Sequence, residues 1–213
     1  MKQTLSEAER AQLDRSISAA EHHSGAQIVV AVIGRSDNYP EIPWLAFVLG
    51  VSLASLAVFG LSGRSNALLI AVATILAAGG TSALLTIVLP GFARIFLTAQ
   101  RAEAEIRQYA QALFLERELF ATRRRRTVLL LVSLFEQQAV LLTDKGLRDV
   151  LSGESERTIS DGIQRTLSSG QLVTALETAL QQLAAVLEAS ATIAVDTDGA
   201  DELANQVIEE RGV

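Results

Sequence analysis

A long uncharged stretch in the first half of the chain constrains its fold more than any other feature. Between Glu41 and Arg94 the only charged residue is Arg64. The stretch contains two apolar runs, residues 44–61 and 67–89, joined by a short polar turn. At ~1.5 Å per residue in a helix the first run reaches ~27 Å, close to the thickness of the hydrocarbon core of a bilayer, and the second run is longer. Both runs therefore have the length and composition of membrane-spanning helices.

Two other interpretations of this stretch are weaker. A signal peptide is disfavoured because a long polar segment precedes the first apolar run. A pair of buried core helices is disfavoured because helices that are apolar on every face are rare in so small a soluble domain. We predict an integral membrane protein with two spans, in which residues 43–90 form a transmembrane helical hairpin. Neither run contains Asp, Glu, His or Lys, which argues against an ion or proton pathway.

The short turn requires an antiparallel pair of helices, so both flanking soluble parts lie on the same side of the membrane. Arginines flank the hairpin at 35, 94, 101 and 107, against Arg64 alone in the turn. Positive charge favours the cytoplasmic side, so we expect both termini in the cytoplasm and the hairpin in the cell membrane.

Small residues recur at three- to four-residue spacing in both apolar runs. They are Gly50, Ala54 and Ala57 in the first run, and Ala73, Ala77 and Gly80 in the second. Small side chains allow two helix backbones to approach closely. We favour packing of the hairpin against itself over oligomerisation.

The segment before the hairpin, residues 1–42, predicts one helix and one strand. Ser6 and Glu9 have the spacing of a capping box, and the helix runs from Glu7 to about His22. Residues 27–33 are rich in β-branched side chains and predict a buried strand. A single strand cannot satisfy its backbone hydrogen bonds, so its partner strands must come from beyond the hairpin.

The segment after the hairpin, residues 91–190, supplies those strands. Residues 127–132 and 138–142 predict two strands joined by a tight turn. Apolar residues at helical spacing predict one helix before these strands and two helices after them. Beyond Ser190, an acidic tail of residues 191–213 is predicted to fray, with at most a short docked turn near its end. The expected fold class is therefore α/β, a small central sheet sandwiched by helices and interrupted by the hairpin.

The net charge and the absence of Cys restrict the kinds of partner and chemistry that the chain can support. The net charge of -6 and the pI near 5 argue against nucleic-acid binding, which calls for a basic domain. The absence of Cys excludes thiolate metal ligands and thiol catalysis. The expected partners are the lipid bilayer and another membrane protein.

Several short motifs together resemble the TPM domain family, and in particular its short bacterial membrane members, in which a hairpin follows the first strand. The resemblance is carried by Arg35-Ser36-Asp37-Asn38-Tyr39, Thr122-x-x-x-Arg126-Thr127-Val128-Leu129, Ser133-Leu134-x-Glu136, Asp144-Lys145-Gly146-Leu147 and Asp201-Glu202-Leu203. It implies a small sheet with helices on its faces. It also implies one of three activities: divalent-cation binding, weak phosphatase activity, or assembly and repair of membrane complexes.

Three acidic residues form a candidate metal site. Asp37 and Asp144 each follow a predicted strand, and Glu136 lies in the turn between two others. If the strands are neighbours, these carboxylates meet at one sheet edge and suit Ca²⁺ or Mg²⁺. The alternative, which we favour, is ordinary turn chemistry, in which Asp side chains bond to their own backbone.

The remaining polar candidates are basic or hydroxyl groups. Arg123 and Arg126 bracket a run of four arginines that suits a phosphate or anionic headgroups, or simply a solvated approach to a strand. His22 and His23 point about 100° apart on a helix, so a helix-terminal role is preferred to metal binding. Ser36 and Ser133 are candidate nucleophiles only if one of these histidines activates them.

Two functions remain. The first is a non-enzymatic cytoplasmic module that binds or scaffolds another membrane protein. The second is a divalent-cation-dependent phosphatase acting on phosphomonoesters, with Asp37 and Asp144 as metal ligands and an arginine to hold phosphate.

Overall fold

A computed structural model describes residues 5–61, 68–151, 153–189 and 207–212. The chain divides into two compact units. One unit combines Met1–Asp37 with Ala102–Val213, and the other is the intervening Asn38–Arg101. The predicted polar turn at 62–66 and the Asp201-Glu202-Leu203 motif lie outside the described residues.

The described helices and strands lie before, within and after the inserted segment. In chain order they are α1 (Glu7–Ser24), β1 (Gln27–Arg35), α2 (Glu41–Leu61), α3 (Leu68–Val88), α4 (Pro90–Arg94), α5 (Ala99–Glu116), β2 (Thr127–Ser133), β3 (Gln138–Thr143), α6 (Gly153–Leu167), α7 (Leu172–Ala189) and β4 (Ile208–Gly212). Single 3-10 turns at Leu119–Ala121 and Lys145–Leu147 precede β2 and follow β3. The predicted capping box is confirmed, since Ser6 Oγ accepts from the amide of Glu9 and the Glu9 carboxylate accepts from the amide of Ser6.

The four strands form one sheet in the order β3-β2-β1-β4. β1 and β2 are parallel, in register from Gln27 opposite Thr127 to Ile33 opposite Ser133. β3 runs antiparallel to β2. The prediction that the first strand pairs with strands encoded after the hairpin is therefore confirmed, as is the α/β fold class.

The fourth strand is absent from the sequence-based prediction, which leaves the C-terminal segment as a fraying tail. Instead Ile208–Gly212 pairs parallel to β1, with Gly212 opposite Arg35. Gly212 has φ +72°, and a Cβ there would lie 1.8 Å from the Arg35 carbonyl oxygen. Only glycine fits so close an approach. The segment was missed because it is short and strongly charged, and edge strands of that kind carry little apolar alternation.

Both faces of the sheet are buried. Side chains alternate along β1, so that Ile28, Val30 and Val32 face one core and Val29, Ala31 and Ile33 face the other. The first core is filled by α1, α6 and α7, and the second by α5. Burial on both faces explains why β1 and β2 read as continuous apolar runs rather than as alternating ones.

Within the second unit, α2 and α3 pack through glycine. A Cβ on Gly50 would lie 2.9 Å from the Ala78 carbonyl oxygen, and one on Gly79 would lie 2.6 Å from Val51 Cγ2. Gly80 meets nothing within 4 Å. The predicted contact between the two helices is present, with Gly79 rather than Gly80 at the close approach.

Candidate functional site

The carboxyl ends of the parallel strands β1 and β2 hold a buried polar cluster made of Ser36, Ser133 and Glu136. Glu136 accepts from the Ser36 amide at 2.8 Å and from Ser36 Oγ at 2.5 Å through Oε1. Its other oxygen, Oε2, accepts from Ser133 Oγ. All three residues are buried, with Glu136 only 7% exposed. The carboxylate therefore closes the loop after β2 onto the end of β1.

The backbone of the same loop reinforces this closure. The amides of Leu134 and Phe135 donate to the carbonyl oxygens of Ile33 and Gly34, at 3.0 and 2.9 Å. The Arg35 guanidinium lies over the Phe135 ring, 4.7 Å from its centroid. Gln137 adopts φ +53°, which turns the chain back into β3. The cluster is thus built into a tight corner rather than lining an open cleft.

The amino ends of β1 and β2 carry a second cluster, centred on Asp144. This carboxylate is 5% exposed and pairs with Arg125, with 3.1 Å between Oδ2 and Nε. Its Oδ1 accepts from the Lys145 amide at 2.7 Å, and its own amide donates to the Thr127 carbonyl oxygen at 2.9 Å. The turn chemistry predicted for this aspartate is therefore present.

Gly146 joins the turn that follows β3 to the run of arginines, residues 123–126, that precedes β2. Its amide donates to the Arg125 carbonyl oxygen at 2.9 Å, and a Cβ there would lie 2.6 Å from that oxygen. Arg125 has φ +54°, donates to the Phe120 carbonyl oxygen at 2.7 Å and faces the Phe120 ring at 5.6 Å. Arg125, the residue that pairs with Asp144, was not singled out from the sequence.

The predicted metal site does not assemble. Asp37 follows the carboxyl end of β1, whereas Asp144 lies beside Thr127 at the amino end of β2. Because β1 and β2 are parallel and seven residue pairs long, the two aspartates lie at opposite ends of the sheet, roughly 20 Å apart at ~3.3 Å per residue. Glu136 lies at the Asp37 end, where its oxygens already accept from two serines. Among the described residues, no group of three or more His, Asp or Glu side chains is arranged to hold a metal ion. The residues present therefore do not fit a Ca²⁺ or Mg²⁺ site built from Asp37, Glu136 and Asp144.

The direction of β3 explains why the predicted metal site is wrong. The two aspartates would meet at one edge of the sheet only if the strands before them, β1 and β3, ran in the same direction. β3 runs antiparallel to β2, so the end of β3 lies at the start of β2. A tight hairpin always reverses direction, and the turn at Glu136 and Gln137 already indicated one.

The other candidates have structural partners. Arg126 donates to the Ser24 carbonyl oxygen at 3.3 Å and its own carbonyl accepts from the Gln27 amide at 2.9 Å, which ties α1 and β1 to the start of β2. Arg123 is exposed, and a phosphate at Arg123 and Arg126 stays a prediction. His23 Nδ1 lies 2.6 Å from the Ala19 carbonyl oxygen in the last turn of α1, in agreement with a helix-terminal role.

Neither serine has a histidine to activate it. His22 and His23 lie in the last turn of α1, next to the amino end of β1. Ser36 and Ser133 lie at the carboxyl end, where both donate to Glu136. A serine-histidine mechanism that joins these residues is therefore excluded.

A third polar cluster, which the sequence did not reveal, fastens β4 to its neighbours. Glu210 accepts from Tyr109 Oη of α5 at 2.8 Å and from Arg117, the residue that follows α5, at 2.7 Å. Glu209, the preceding residue, pairs with Arg10 of α1 at 2.9 Å. Burial, followed by the Glu210 hydrogen bond, raises the pKa of Tyr109 to about 12. The strand is thus held from both faces of the sheet.

Comparisons with known proteins agree with this architecture. The family model described as the TPM domain matches residues 92–186. The NMR structure of the BA42 protein from the psychrophilic bacterium Bizionia argentinensis is similar over 99% of this chain and 98% of that chain, with a TM-score of 0.59 and 15% identity. A search of the curated proteins found no match. The structural likeness concerns the fold alone.

The segment that matches the family contains α5, β2, β3, α6 and most of α7. The remaining strands of the same sheet, β1 and β4, lie outside it on either side. Two helices long and apolar enough to cross a membrane, Glu41–Gly60 and Leu68–Val88, separate β1 from that segment. The segment after the two apolar helices therefore matches the TPM domain family, and β1, which precedes these helices, pairs with a strand of that segment.

Proposed function

We propose that this chain is an integral protein of the cell membrane, with both termini in the cytoplasm and a TPM domain that binds or scaffolds another membrane protein. The observation that carries the proposal is the apolar surface of α2 and α3. Trp44 is 70% exposed, Phe59 90% and Leu69 85%. Soluble proteins rarely leave such large contiguous apolar surfaces in water.

The exposed apolar side chains surround the hairpin rather than forming one stripe. Consecutive residues of α3 are exposed, namely Leu68, Leu69 and Ile70 at its start and Ile87 and Val88 at its end. A helix that packs on a soluble domain would bury one face and expose a polar one. Lipid is the solvent that suits a helix with apolar side chains on all sides.

A binding role is favoured over catalysis because the two buried carboxylates of the candidate site are engaged within the domain. Glu136 is engaged by two serines, and Asp144 by Arg125 and its own turn. A general acid or base must be within hydrogen-bond reach of its substrate. These carboxylates instead close the corners of the sheet.

The basic end of the domain is the surface that we assign to the partner. Arg123 and Arg124 are exposed at the amino end of the sheet, and Lys145 and Arg148, also exposed, belong to the adjoining turn. The chain leaves for α2 from the opposite, carboxyl end of β1. The expected partner therefore offers an acidic cytoplasmic surface, and opposite charges across the contact would set its orientation.

The test combines extraction with site-specific crosslinking. A photo-reactive residue at Arg124 is compared with one at Arg165, an exposed arginine near the end of α6. We expect the protein to stay in the membrane pellet after carbonate washing and to give a crosslinked adduct from position 124 only. Release of the protein by carbonate would contradict the membrane assignment. A metal-stimulated phosphomonoesterase activity of the purified protein would instead support the phosphatase.

A further inference from the structure

The helical hairpin has an open end, where the chain enters α2 and leaves α3. At this end the chain changes direction sharply. α3 ends at Val88, and the chain then turns at Leu89, whose φ and ψ are -115° and 94°. Pro90 starts the single-turn helix α4, which ends at Arg94. Proline at the first helical position fits this sharp change of direction, because it supplies no amide to continue α3. The chain therefore does not continue straight out of the bilayer.

Aromatic and basic side chains gather at this end. Phe92 and Phe96 stack edge to face, with ring centroids 5.4 Å apart, and Trp44 packs edge to face on Phe47 at 6.3 Å. Trp44 is the only tryptophan of the chain and occupies the first turn of α2. Ile95 lies 72% exposed beside Arg94. Trp and Tyr, whose rings carry a polar group, concentrate where hydrocarbon gives way to headgroups, so Trp44 is the aromatic residue that marks this interface.

We infer that residues 90–101, together with Trp44, form an interfacial collar that binds the headgroups of anionic lipids on the side of the membrane where the TPM domain lies. This inference rests on the proposed membrane location and names the lipid class that the hairpin prefers. The apolar members of the collar continue the lipid-facing surface of α2 and α3, while Arg94 and Arg101 supply positive charge at its edge.

Glu41, an acidic residue near the collar, pairs with one of the two arginines of the collar. Glu41 Oε1 lies 3.6 Å from Nε of Arg101, in an exposed ion pair. Arg101 therefore shares its charge between Glu41 and lipid. Arg94 is half-buried and lies at the end of α4. An arginine near an anionic leaflet is worth ~1 kcal/mol, which corresponds to roughly fivefold local enrichment of anionic lipid.

The single tryptophan allows the collar to be tested in the full-length protein. The protein is placed in lipid nanodiscs that contain equal amounts of phosphatidylglycerol and phosphatidylcholine, and only one of the two lipids carries bromines, which quench tryptophan fluorescence on contact. Bromines near the carbonyl end of the acyl chain report the interface, and bromines near the methyl end report the bilayer centre.

We expect carbonyl-end bromines to quench Trp44 more than methyl-end bromines, and brominated phosphatidylglycerol to quench it several-fold more than brominated phosphatidylcholine. Arg94→Gln should reduce that lipid preference, and Arg94→Gln with Arg101→Gln should abolish it. Arg107→Gln is the matched control, because Arg107 lies farther along α5 and pairs with Glu103 at 3.9 Å. It should leave the preference unchanged.

The outcomes separate the collar from the proposed function. Strong quenching at the bilayer centre, or equal quenching by the two lipids in the unmodified protein, would overturn the collar while leaving the membrane location intact. Absence of quenching by either lipid, together with release by carbonate, would overturn the membrane location itself. A preference that survives the double substitution would show that the arginines do not select the lipid.

Discussion

Glu136 joins the ends of two parallel strands through three donors, so its side chain is a structural group of the domain. Glu136→Ala leaves the Ser36 amide and two buried hydroxyls without their acceptor. Unsatisfied buried donors cost about 1–3 kcal/mol each, and hydroxyls recover part by rotating, so we expect a loss of about 3 kcal/mol. For a chain of this size the thermal midpoint should fall by roughly 6–12 °C.

Two further substitutions serve as controls for Glu136→Ala. Glu136→Gln keeps an acceptor for Ser36 and should lose far less, while Glu188→Ala, at an exposed position near the end of α7, should stay within about 0.5 kcal/mol of the unmodified protein. The melting of the full chain in detergent, followed by circular dichroism, measures all three. Equal midpoints for Glu136→Ala and Glu188→Ala would show that the cluster contributes nothing.

Tyr109 reports on the attachment of β4, because its pKa of about 12 depends on burial and on Glu210. The folded pKa lies above the ordinary value of 10.0, so this contact stabilises fully below pH 10 and is lost as the pH rises through about 12. We expect the phenolate absorbance that is present in the unmodified protein and absent in Tyr109→Phe to titrate near pH 12.

Glu210→Gln tests the origin of that shift. Burial is the larger cause and remains in this variant, so the Tyr109 titration should move part of the way toward pH 10 and not all of it. Glu209→Gln is the control, since Glu209 pairs with Arg10 on the other side of the strand. A titration near pH 10 in the unmodified protein would mean that Tyr109 is not held by Glu210.

At this scale the sequence reveals residue types more readily than their partners. Ser36, Ser133, Glu136 and Asp144 were all recognised as polar groups next to strand ends, and the structure buries all four. Their grouping was not predictable, because which ends of two strands coincide depends on strand direction. The Tyr109 and Glu210 contact joins residues 101 positions apart, and no local pattern signals such a pair.

Among the elements, α2 and α3 are held together by close backbone approach at glycine. Gly50→Ala places a methyl group 2.9 Å from the Ala78 carbonyl oxygen, so the helices must separate. Gly80→Ala meets nothing within 4 Å and gains helix propensity, worth up to about 1 kcal/mol. We therefore expect opposite changes in thermal midpoint, a decrease for Gly50→Ala and no change or an increase for Gly80→Ala.

Both variants are measured in the full chain in the same detergent, by the loss of helical circular dichroism. A decrease of equal size for the two would show that the effect belongs to glycine substitution in general and not to the contact between α2 and α3. Gly60→Ala, also without a neighbour within 4 Å, is a second control on α2.

The elements themselves were predicted well where burial is strong and poorly where it is weak. β1 and β2 carry continuous apolar side chains, and α1 has a capping box, so their positions followed from local physics. β4 has two adjacent glutamates and an arginine, and its stability comes from pairing with β1 and from Arg10, Tyr109 and Arg117. Tertiary contacts of this kind cannot be read from the segment alone.

For the whole molecule, the parallel pairing of β1 with β2 determines how the chain meets the membrane. β1 precedes the two apolar helices and β2 follows them, so the proposed membrane location places both flanking segments on one side. The chain has no Cys, so single cysteines at exposed Arg15 and Arg148 give unambiguous labels. We expect an impermeant thiol reagent added to intact cells to label neither position, and both to react after permeabilisation.

A control cysteine on a protein of known orientation verifies that the reagent stays outside. Labelling of Arg15→Cys and Arg148→Cys from opposite sides would be incompatible with a sheet that contains both β1 and β2. Labelling of both from outside would keep the sheet and reverse the proposed orientation.

The same pairing also fixes an order of events during synthesis. Thr127 lies 100 positions beyond its partner Gln27, so β1 emerges from the ribosome long before any strand that can receive it. At about 5–20 residues per second this delay lasts several seconds, while both apolar helices become available for insertion. Under the proposed location, insertion into the bilayer precedes completion of the soluble domain, and the anchored hairpin shortens the distance that β1 and β2 must search to find each other.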